Sequence, residues 1–348
     1  MVKMIPVIMN DQFERLALVD DYSSFIWSTR YYTSGDFQLI VDANSKYMGM
    51  FKKDYYVVRD DDENVGIIEN IVIQENEDDR SQMIITGRFL DCIIGRRIIA
   101  EQTTLSGNVS DCIEQLLDEN IINPSNIDRQ IDNFTIDSVE FATEIEAQYT
   151  GKNLLTTISD LCQTYGLGYK VTLNSDNEFV FKLYKGVDRT YDQDTNDWVI
   201  FSDTYDNLLS SKYEESYKGM VNAVLVAGEG EGLERKTAWA VTPDAQGIGR
   251  YEMYKDQRNI QSNNGEIPDA EYYQLLAESG KESLTAYTVA FTGNVYFDNI
   301  EYKTDVGIGD ICVIENTNWG IYIYSRLVEV IESIDETGKY TITPTFGK

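Results

Sequence analysis

The sequence of 348 residues contains no histidine, and this absence limits the chemistry that the protein can perform. Without an imidazole there is no Ser-His or Cys-His nucleophile system, no His-ligated zinc and no histidine general base. What remains is chemistry carried by carboxylates, or a function without catalysis. Proline is also scarce, with 5 residues, whereas hydrophobic residues make up 42% of the chain and aromatic residues 12%. This composition is typical of a chain that folds, and its length predicts two to four domains.

Cations are few as well: 29 Lys+Arg stand against 59 Asp+Glu, so the formal charge is 29 − 59 = −30. Affinity for nucleic acid comes largely from cations that displace counterions, so we expect no stable binding of DNA or RNA. The acidic excess also repels anionic membranes, and no apolar run approaches the about 18 residues that a spanning helix needs. Residues 1–9 are apolar but too short for a signal peptide and predict a first strand. We therefore expect the chain to remain in a reducing cytoplasm until it is assembled.

The cysteines form no CxxC pair, and each lies in an apolar segment. This pattern predicts buried free thiols in a reducing compartment rather than disulfides or metal ligands. The four cysteines are Cys92, Cys112, Cys162 and Cys312.

Hydrophobic periodicity divides the chain into four segments and predicts a β-rich α+β fold. Residues 1–100 alternate as in an antiparallel sheet or barrel. Residues 101–200 contain two apolar helical stripes followed by a hairpin, which predicts an α/β domain inserted in a β framework. Residues 201–286 predict returning strands, long exposed Gly/Glu-rich loops at 228–268 and a third helix over about 269–286. Residues 287–348 predict a C-terminal barrel or meander.

Two hairpins resemble each other across the chain. Residues 67–73, an acidic turn at 75–79 and residues 83–87 are similar to residues 327–334, an acidic turn and residues 340–343. Any two hairpins can look alike, or these two can correspond in two similar barrels near the ends of the chain.

Two segments imitate binding motifs but lack parts of them. Gly228–Gly232 follows a strand, but no helix begins behind it, there is no GK(S/T) lysine and two glutamates lie where an anion would approach, so a flexible loop is favoured. Asp192, Asp194 and Asn196, with Asp203 further on, have the spacing of a calcium loop, and the sequence leaves open whether they bind calcium. The position that should be glycine is Asp197, which argues against such a site.

A glycosidase needs two carboxylates about 5–9.5 Å apart, one of them desolvated. With 59 acidic residues some pair will meet by chance, and no local pattern selects one. Glu69 and Glu329 come nearest, but both fit the polar face of a strand. We therefore assign no catalytic, cofactor-binding or metal-binding residue, and expect neither an enzyme nor a cofactor.

Nine segments, by their order and spacing, resemble one family across nearly the whole chain. They are Trp27–Phe37, Gly87–Leu90, Gly95–Ile98, Leu105–Asn108, Asn120–Pro124, Gly151–Leu155, Tyr165–Tyr169, Asp206–Ser211 and Gly228–Gly232. With them the sequence resembles siphovirus-type tail proteins, of the baseplate or tail-tip hub family, that are carried by prophages of Gram-positive bacteria and by phage-tail-like bacteriocins.

The resemblance implies a structural virion protein with two β-barrel domains and an inserted α/β domain. It implies a homotrimer that joins the tail tube or a distal tail protein to a trimeric spike or fibre, with a near-sixfold ring facing the tube. Such a protein would be assembled in the host cytoplasm and located in the tail of a phage or bacteriocin particle. The acidity then suggests a lumen that DNA passes without sticking.

Some features bear on the alternatives to a hub. Some relatives carry a fused peptidoglycan-cleaving domain, whereas we expect none here because the sequence ends just after a last strand. The 24 tyrosines suit interfaces, although tyrosine is also a common strand residue. A carboxylate-dependent cell-wall glycosidase and a carbohydrate-binding adhesin remain the alternatives.

Overall fold

The structure is a computed structural model that describes residues 4–43, 46–75, 81–263, 265–295 and 300–347. Most of the acidic turn predicted at 75–79 and the C-terminal lysine therefore lie outside the described residues. The strands are β1 (Val7–Met9), β2 (Arg15–Leu18), β3 (Ser24–Arg30), β4 (Asp36–Asp42), β5 (Tyr56–Val58), β6 (Val65–Glu75), β7 (Ser81–Phe89), β8 (Thr103–Asn108), β9 (Phe134–Ile136), β10 (Glu144–Tyr149), β11 (Gly168–Leu173), β12 (Phe179–Tyr184), β13 (Ile200–Ser202), β14 (Leu208–Ser216), β15 (Ala223–Ala227), β16 (Thr237–Val241), β17 (Glu252–Asp256), β18 (Thr288–Val295), β19 (Ile311–Asn316), β20 (Ile321–Ile334) and β21 (Tyr340–Gly347). The α-helices are α1 (Val109–Leu117), α2 (Leu154–Tyr165) and α3 (Asp269–Lys281).

One large sheet runs through both ends of the chain. Its strand order is β14-β18-β21-β20-β3-β4-β7-β6-β5-β1-β2, and β19 and β13 continue from β20 beside this path. The N-terminal half consists of β1 to β7, and the C-terminal half consists of β13, β14 and β18 to β21. The two halves meet where β3 pairs antiparallel with β20, from Arg30 opposite Glu329 to Phe25 opposite Ile334. All pairs in the sheet are antiparallel except β13 with β19.

Each half has its own core against one face of its strands, and in the N-terminal half the other face of β1, β5 and the start of β6 is covered by the inserted segment. In β4 the side chains of Phe37, Leu39 and Val41 are buried while the residues between them are not, as expected for strands with one covered face. They pack with Trp27 of β3 in the core of the N-terminal half. Phe201, Cys312, Leu327 and Phe346 belong to the separate core of the C-terminal half.

The two hairpins that resemble each other in sequence also have matching strand registers. In β6–β7, six successive pairs run from Glu75 opposite Ser81 to Asn70 opposite Thr86, and the register then shifts. In β20–β21, six successive pairs run from Ile334 opposite Tyr340 to Glu329 opposite Thr345, with the same shift after them. Residues 76–80 and 335–339 link the strands, so both links have the same length. The two halves therefore share one hairpin plan, with Glu75 corresponding to Ile334.

The inserted segment forms the predicted helices and hairpin. Helix α2 begins after Asn153, whose side chain accepts a hydrogen bond from the amide of Thr156, and ends at Gly166 in the left-handed conformation. The apolar stripes of α1 and α2 are buried in one core with β11 and the segment after β7. The hairpin of β11 and β12 follows α2 directly, and β9 adds a parallel edge.

Residues 221–285 form a small module with a three-stranded sheet and α3. Strand β15 pairs antiparallel with β16 and parallel with β17, and Tyr272, Leu275 and Leu276 of α3 cover one face. The expectation of long loops over 228–268 was therefore wrong, because both outer strands are short and expose one face, which weakens their periodicity. Helix α3 ends at Lys281, and Leu284 packs on the same core from beyond the helix.

The β-rich α+β class is confirmed, whereas two separate closed barrels are not observed. Strand pairing among the described residues joins the halves in one open path and closes neither half into a ring. The four cysteines are buried and free, as predicted. None of the described helices is long and apolar enough to cross a lipid bilayer.

Candidate assembly interface

The junction between the two halves contains a buried ion pair. Arg59 and Glu332 are each 3% exposed, and both Nη atoms of Arg59 donate to the Glu332 carboxylate at 3.2 and 3.1 Å. The guanidinium also lies 5.7 Å from the ring centroid of Trp27. Lys303 Nζ lies 3.3 Å from the same carboxylate. Because an unpaired charge at this depth would be costly, the pair fixes how the C-terminal half sits on the N-terminal half.

Tyr31 joins the junction to the inserted segment. Its hydroxyl donates to the carbonyl of Gly166 and accepts from the amide of Gly186, each at 3.1 Å. A Cβ atom at Gly168 or Gly309 would lie 2.3 or 2.2 Å from the Tyr31 ring, so both positions require glycine. Two segments of the family signature, around residues 31 and 166–168, therefore meet in space at the point where three parts of the chain converge.

A cavity of about 670 Å³ lies beside this junction. The carboxylates at its rim carry ion pairs: Asp60 with Arg15, Asp61 with Arg59, Asp62 with Lys303 and Glu63 with Lys170. Each of these four rim acids therefore has a cationic partner.

Asp91, which also lines the cavity, differs from the rim acids. It is 4% exposed, and its Oδ1 has no hydrogen-bond partner among the described residues. Desolvation by burial raises the pKa of Asp91 to about 7. The cavity thus contains one desolvated acid, and no local sequence pattern distinguishes it, since it follows β7 in an ordinary apolar run.

The sheet of residues 221–285 exposes a row of large side chains on the face opposite α3. Leu225 of β15 lies between Trp239 of β16 and Tyr254 of β17, each directly opposite it in register. Trp239 is 43% exposed and Tyr254 is 55% exposed. Arg250 lies 4.6 Å from the Trp239 ring centroid, which holds the indole from one side. We call Trp239, Leu225 and Tyr254 the aromatic row.

A second exposed aromatic surface lies on the C-terminal half. Tyr191 stacks on Tyr322 with ring centroids 6.0 Å apart, and Trp198 meets Tyr191 edge-on at 5.2 Å. Tyr324 continues the cluster along β20. Partly solvent-exposed aromatic side chains are typical of protein interfaces rather than cores.

The distribution of tyrosine separates its two predicted roles. Among the described residues the exposed tyrosines all lie between positions 191 and 324. They are Tyr191, Tyr205, Tyr217, Tyr251, Tyr254, Tyr273, Tyr322 and Tyr324. Those buried in the first 190 residues serve as core residues, as Tyr31 does.

The residues of the imitated calcium loop do not converge. Asp192 accepts a hydrogen bond from the Tyr324 hydroxyl, and Asp203 is bound by the backbone and side chains of Thr317 and Asn318. The described residues contain no group of three or more His, Cys, Asp or Glu side chains arranged to hold a metal ion. The side chain of Gln193 occupies the centre of the loop, where it accepts from the amides of residues 195 and 196.

Hydrogen bonds of Glu229 hold the glycine-rich segment 228–232 in place. Glu229 accepts from Lys236 Nζ at 3.0 Å and from the amide of Ser262 at 3.0 Å, while its amide donates to the Tyr272 hydroxyl. A carboxylate inside the turn repels an approaching phosphate, in agreement with the sequence interpretation.

Sequence reasoning missed the aromatic row, because the alternation of Thr237 to Val241 is short.

Three solved tail proteins have a similar fold. The prophage tail protein gp18 from Listeria monocytogenes EGD-e is 13% identical, with 99% of this chain and 94% of that chain covered at a TM-score of 0.56. The tail protein from Neisseria meningitidis MC58 is 12% identical, with 100% and 97% covered at 0.58. The 43 kDa tail protein of prophage MuSo2 from Shewanella oneidensis is 12% identical, with 98% of both chains covered at 0.56. The fold is therefore that of phage tail proteins.

The family is defined more narrowly by sequence. The chain belongs to the siphovirus tail protein family of Siphovirus ReqiPepy6 Gp37-like proteins, whose model matches residues 5–348. No curated protein matches the sequence. The resemblance found in the sequence is thus confirmed as to family.

Proposed function

We propose that the protein is the hub of a tail tip or baseplate, in which a homotrimer joins the tail tube to a spike or fibre. The observation that carries this proposal is the pair of halves with matching hairpins in one sheet. Three copies of a chain with two similar halves offer six similar modules, which suits a ring that meets a hexameric tube. Each half, which is open in the single chain, would be closed into a barrel by strands of the neighbouring copies in that ring.

The exposed aromatic surfaces supply contacts for other tail proteins. The aromatic row and the cluster around Tyr191 and Tyr322 lie on different parts of the chain, so they serve two different neighbours. The net charge of −30 supports a lumen that does not retain DNA. Neither role requires a cofactor.

Two measurements test the hub. Light scattering on the purified full chain is expected to give the mass of a trimer. Immunogold labelling of particles from the producing strain, with antibodies against this chain, is expected to mark the end of the tail distal to the capsid. Labelling along the whole tube, or of no particle, contradicts the proposal.

The glycosidase alternative is favoured by one observation only, the desolvated Asp91 beside the cavity. Turbidity of a purified cell-wall suspension tests it. Clearing by the full chain that is lost in Asp91→Asn, but kept in the exposed-acid control Asp60→Asn, would establish the enzyme and overturn the structural role. We expect no clearing with any of the three proteins, because the other acids at the cavity are paired with cations.

A further inference from the structure

The outer half of β6 has a free edge, although the matching strand in the other half does not. Residues 329–334 of β20 pair with β21 on one side and with β3 on the other. The corresponding residues 70–75 of β6 pair with β7, and among the described residues no strand pairs with their other side. Val72 and Ile73 are consequently 39% and 55% exposed. A free edge with apolar side chains is a site for strand addition.

The strand that corresponds to β3 also has a free edge. In the N-terminal half β7 is followed by β4 and then β3, and in the C-terminal half β21 is followed by β18 and then β14. Strand β14 forms the end of the sheet and pairs only with β18 among the described residues. Each half therefore has a β3-like strand and a β20-like strand, and only one of the two possible junctions is made within the chain.

We propose that β14 of one copy of this chain pairs antiparallel with residues 70–75 of β6 in the next copy, as β3 pairs with β20 within the chain. This inference rests on the proposed ring and names the contact that closes it. The occupant is a second copy because the chain itself provides the template for the contact. Strand β2, at the opposite end of the sheet, is then not the strand that receives β14.

The internal junction fixes the register of the proposed contact. Gly87 of β7 and Phe346 of β21 occupy matching positions in the two hairpins. Phe37 lies opposite Gly87 and residue 291 lies opposite Phe346, so the backbone positions 37 and 291 correspond. Trp27 lies opposite Phe37 and Tyr213 lies opposite residue 291, so Trp27 corresponds to Tyr213. Since Trp27 lies opposite Glu332, and Glu332 corresponds to Ile73, Tyr213 of one copy lies opposite Ile73 of the next.

The proposed register places matching faces together. Tyr213 packs at the edge of the core of the C-terminal half, and Ile71, which shares a face with Ile73, packs at the edge of the core of the N-terminal half. Pairing Ile73 with Tyr213 thus extends both cores across the contact. A shift by one residue would turn these side chains to the outer face.

Disulfide trapping between differently labelled copies tests the register. Full-length Ile73→Cys chain made with ¹⁵N is mixed with unlabelled Tyr213→Cys chain and oxidised, and peptides linked between the two labels are measured by mass spectrometry. The native cysteines are buried, so they leave the two introduced thiols as the reactive ones. The matched control pairs Gln74→Cys with Tyr213→Cys, and we expect at least about tenfold less linked peptide because residue 74 faces the other way. A second control pairs Leu16→Cys of β2 with Tyr213→Cys.

The outcomes separate this contact from the hub itself. A trimer by light scattering with the 73–213 link supports both. A trimer without that link, or with stronger linking from residue 74 or 16, overturns the contact and leaves the hub. A chain that stays monomeric at the highest soluble concentration overturns the contact, and the immunogold labelling then decides the hub. Hydrogen exchange gives an independent measurement on the unmodified chain: those amides of residues 70–75 and 211–216 that point to the free edges are expected to exchange more slowly in the trimer than in dilute monomer, and equal rates contradict the contact.

Discussion

The distal half of β20 and the distal half of β6 occupy matching positions in two matching hairpins, but their surroundings differ. In β20 the inward residues Val330, Glu332 and Ile334 are buried under β3, and Glu332 is held by Arg59. In β6 the residue that matches Glu332 is Ile73, which is exposed. An internal junction forms with folding, so a paired charge there is never left alone. An open edge is covered only when another chain binds. An apolar residue suits such an edge because it carries no charge that could be left unpaired on burial.

The largest expected effect breaks the internal junction. Glu332→Gln leaves Arg59 buried with only the half-exposed Asp61 to neutralise it, and we expect a loss of about 3–5 kcal/mol in the free energy of unfolding. Ile73→Gln at the matching position is expected to change dilute monomer by no more than about 0.5 kcal/mol. Urea unfolding followed by tryptophan fluorescence measures both.

A paired substitution controls for the lost charge. Arg59→Met with Glu332→Leu removes both partners, and is expected to recover most of the stability lost in Glu332→Gln. Equal costs for Glu332→Gln and Ile73→Gln would contradict the contrast between a covered and an open strand.

A pH titration tests the ionisation of the buried Asp91. Burial raises the pKa of Asp91 to about 7, whereas an unfolded aspartate titrates near 3.9. Between pH 4 and 7 the folded state therefore holds a proton that the unfolded state has released, so Asp91 lowers stability as the pH rises through that window. Asp91→Asn removes this contribution. The free energy of unfolding of the variant minus that of the native chain is therefore expected to be roughly 2–4 kcal/mol larger at pH 8 than at pH 4.

Thermal and urea unfolding at several pH values measure that difference. Glu332→Gln is the comparison variant, because it also replaces a buried carboxylate by an amide. A difference between Asp91→Asn and the native chain that is constant from pH 4 to 8 would show that Asp91 ionises normally.

A substitution at one glycine in each hairpin tests how closely the strands of each half approach. A Cβ atom at Gly87 would lie 1.8 Å from the carbonyl oxygen of Ile67, so Gly87→Ala must move backbone, and we expect a loss of about 1–3 kcal/mol. A Cβ atom at Gly347 would lie 3.4 Å from Val328, an ordinary contact, and Gly347→Ala is expected to cost no more than about 0.5 kcal/mol. Differential scanning calorimetry of both variants measures this. A tolerated Gly87→Ala would contradict the close approach of the Ile67 carbonyl to Gly87.

The sequence predicted best what short-range periodicity determines. Helix α2 was predicted from its apolar stripe and Gly166, and β4 from simple alternation, because each pattern spans enough residues to exclude another structure. Strands β16 and β17 were missed, since five residues with one exposed face give little periodicity. The resemblance between hairpins was found, but not its register. It set Ile67 against Leu327 and Met83 against Tyr340, whereas the strand pairs match Ile68 with Leu327 and Ser81 with Tyr340.

The contacts of the interface could not be predicted in the same way. Arg59 and Glu332 are 273 residues apart in sequence, and Tyr31 and Gly166 are 135 apart. Neither partner carries a local pattern that names the other, so only the folded sheet brings them together. The same holds for Asp91, whose raised pKa comes from burial by distant segments.

The smallest expected effect concerns the outer end of the internal junction. Glu329 accepts from Arg30 Nε at 2.7 Å, but both side chains are about a quarter exposed and Arg30 also binds Asp36 at 2.6 Å. Glu329→Gln is therefore expected to cost only about 0.5–1 kcal/mol, and less as salt rises, because solvent screens the pair and Arg30 keeps a partner. The matching residue of the open edge is Asn70, so Asn70→Gln is the control and is expected to be neutral at any salt concentration. Urea unfolding at low and high sodium chloride separates the two, and a cost for Glu329→Gln that does not depend on salt would mean that this end of the junction is as dry as its centre at Glu332.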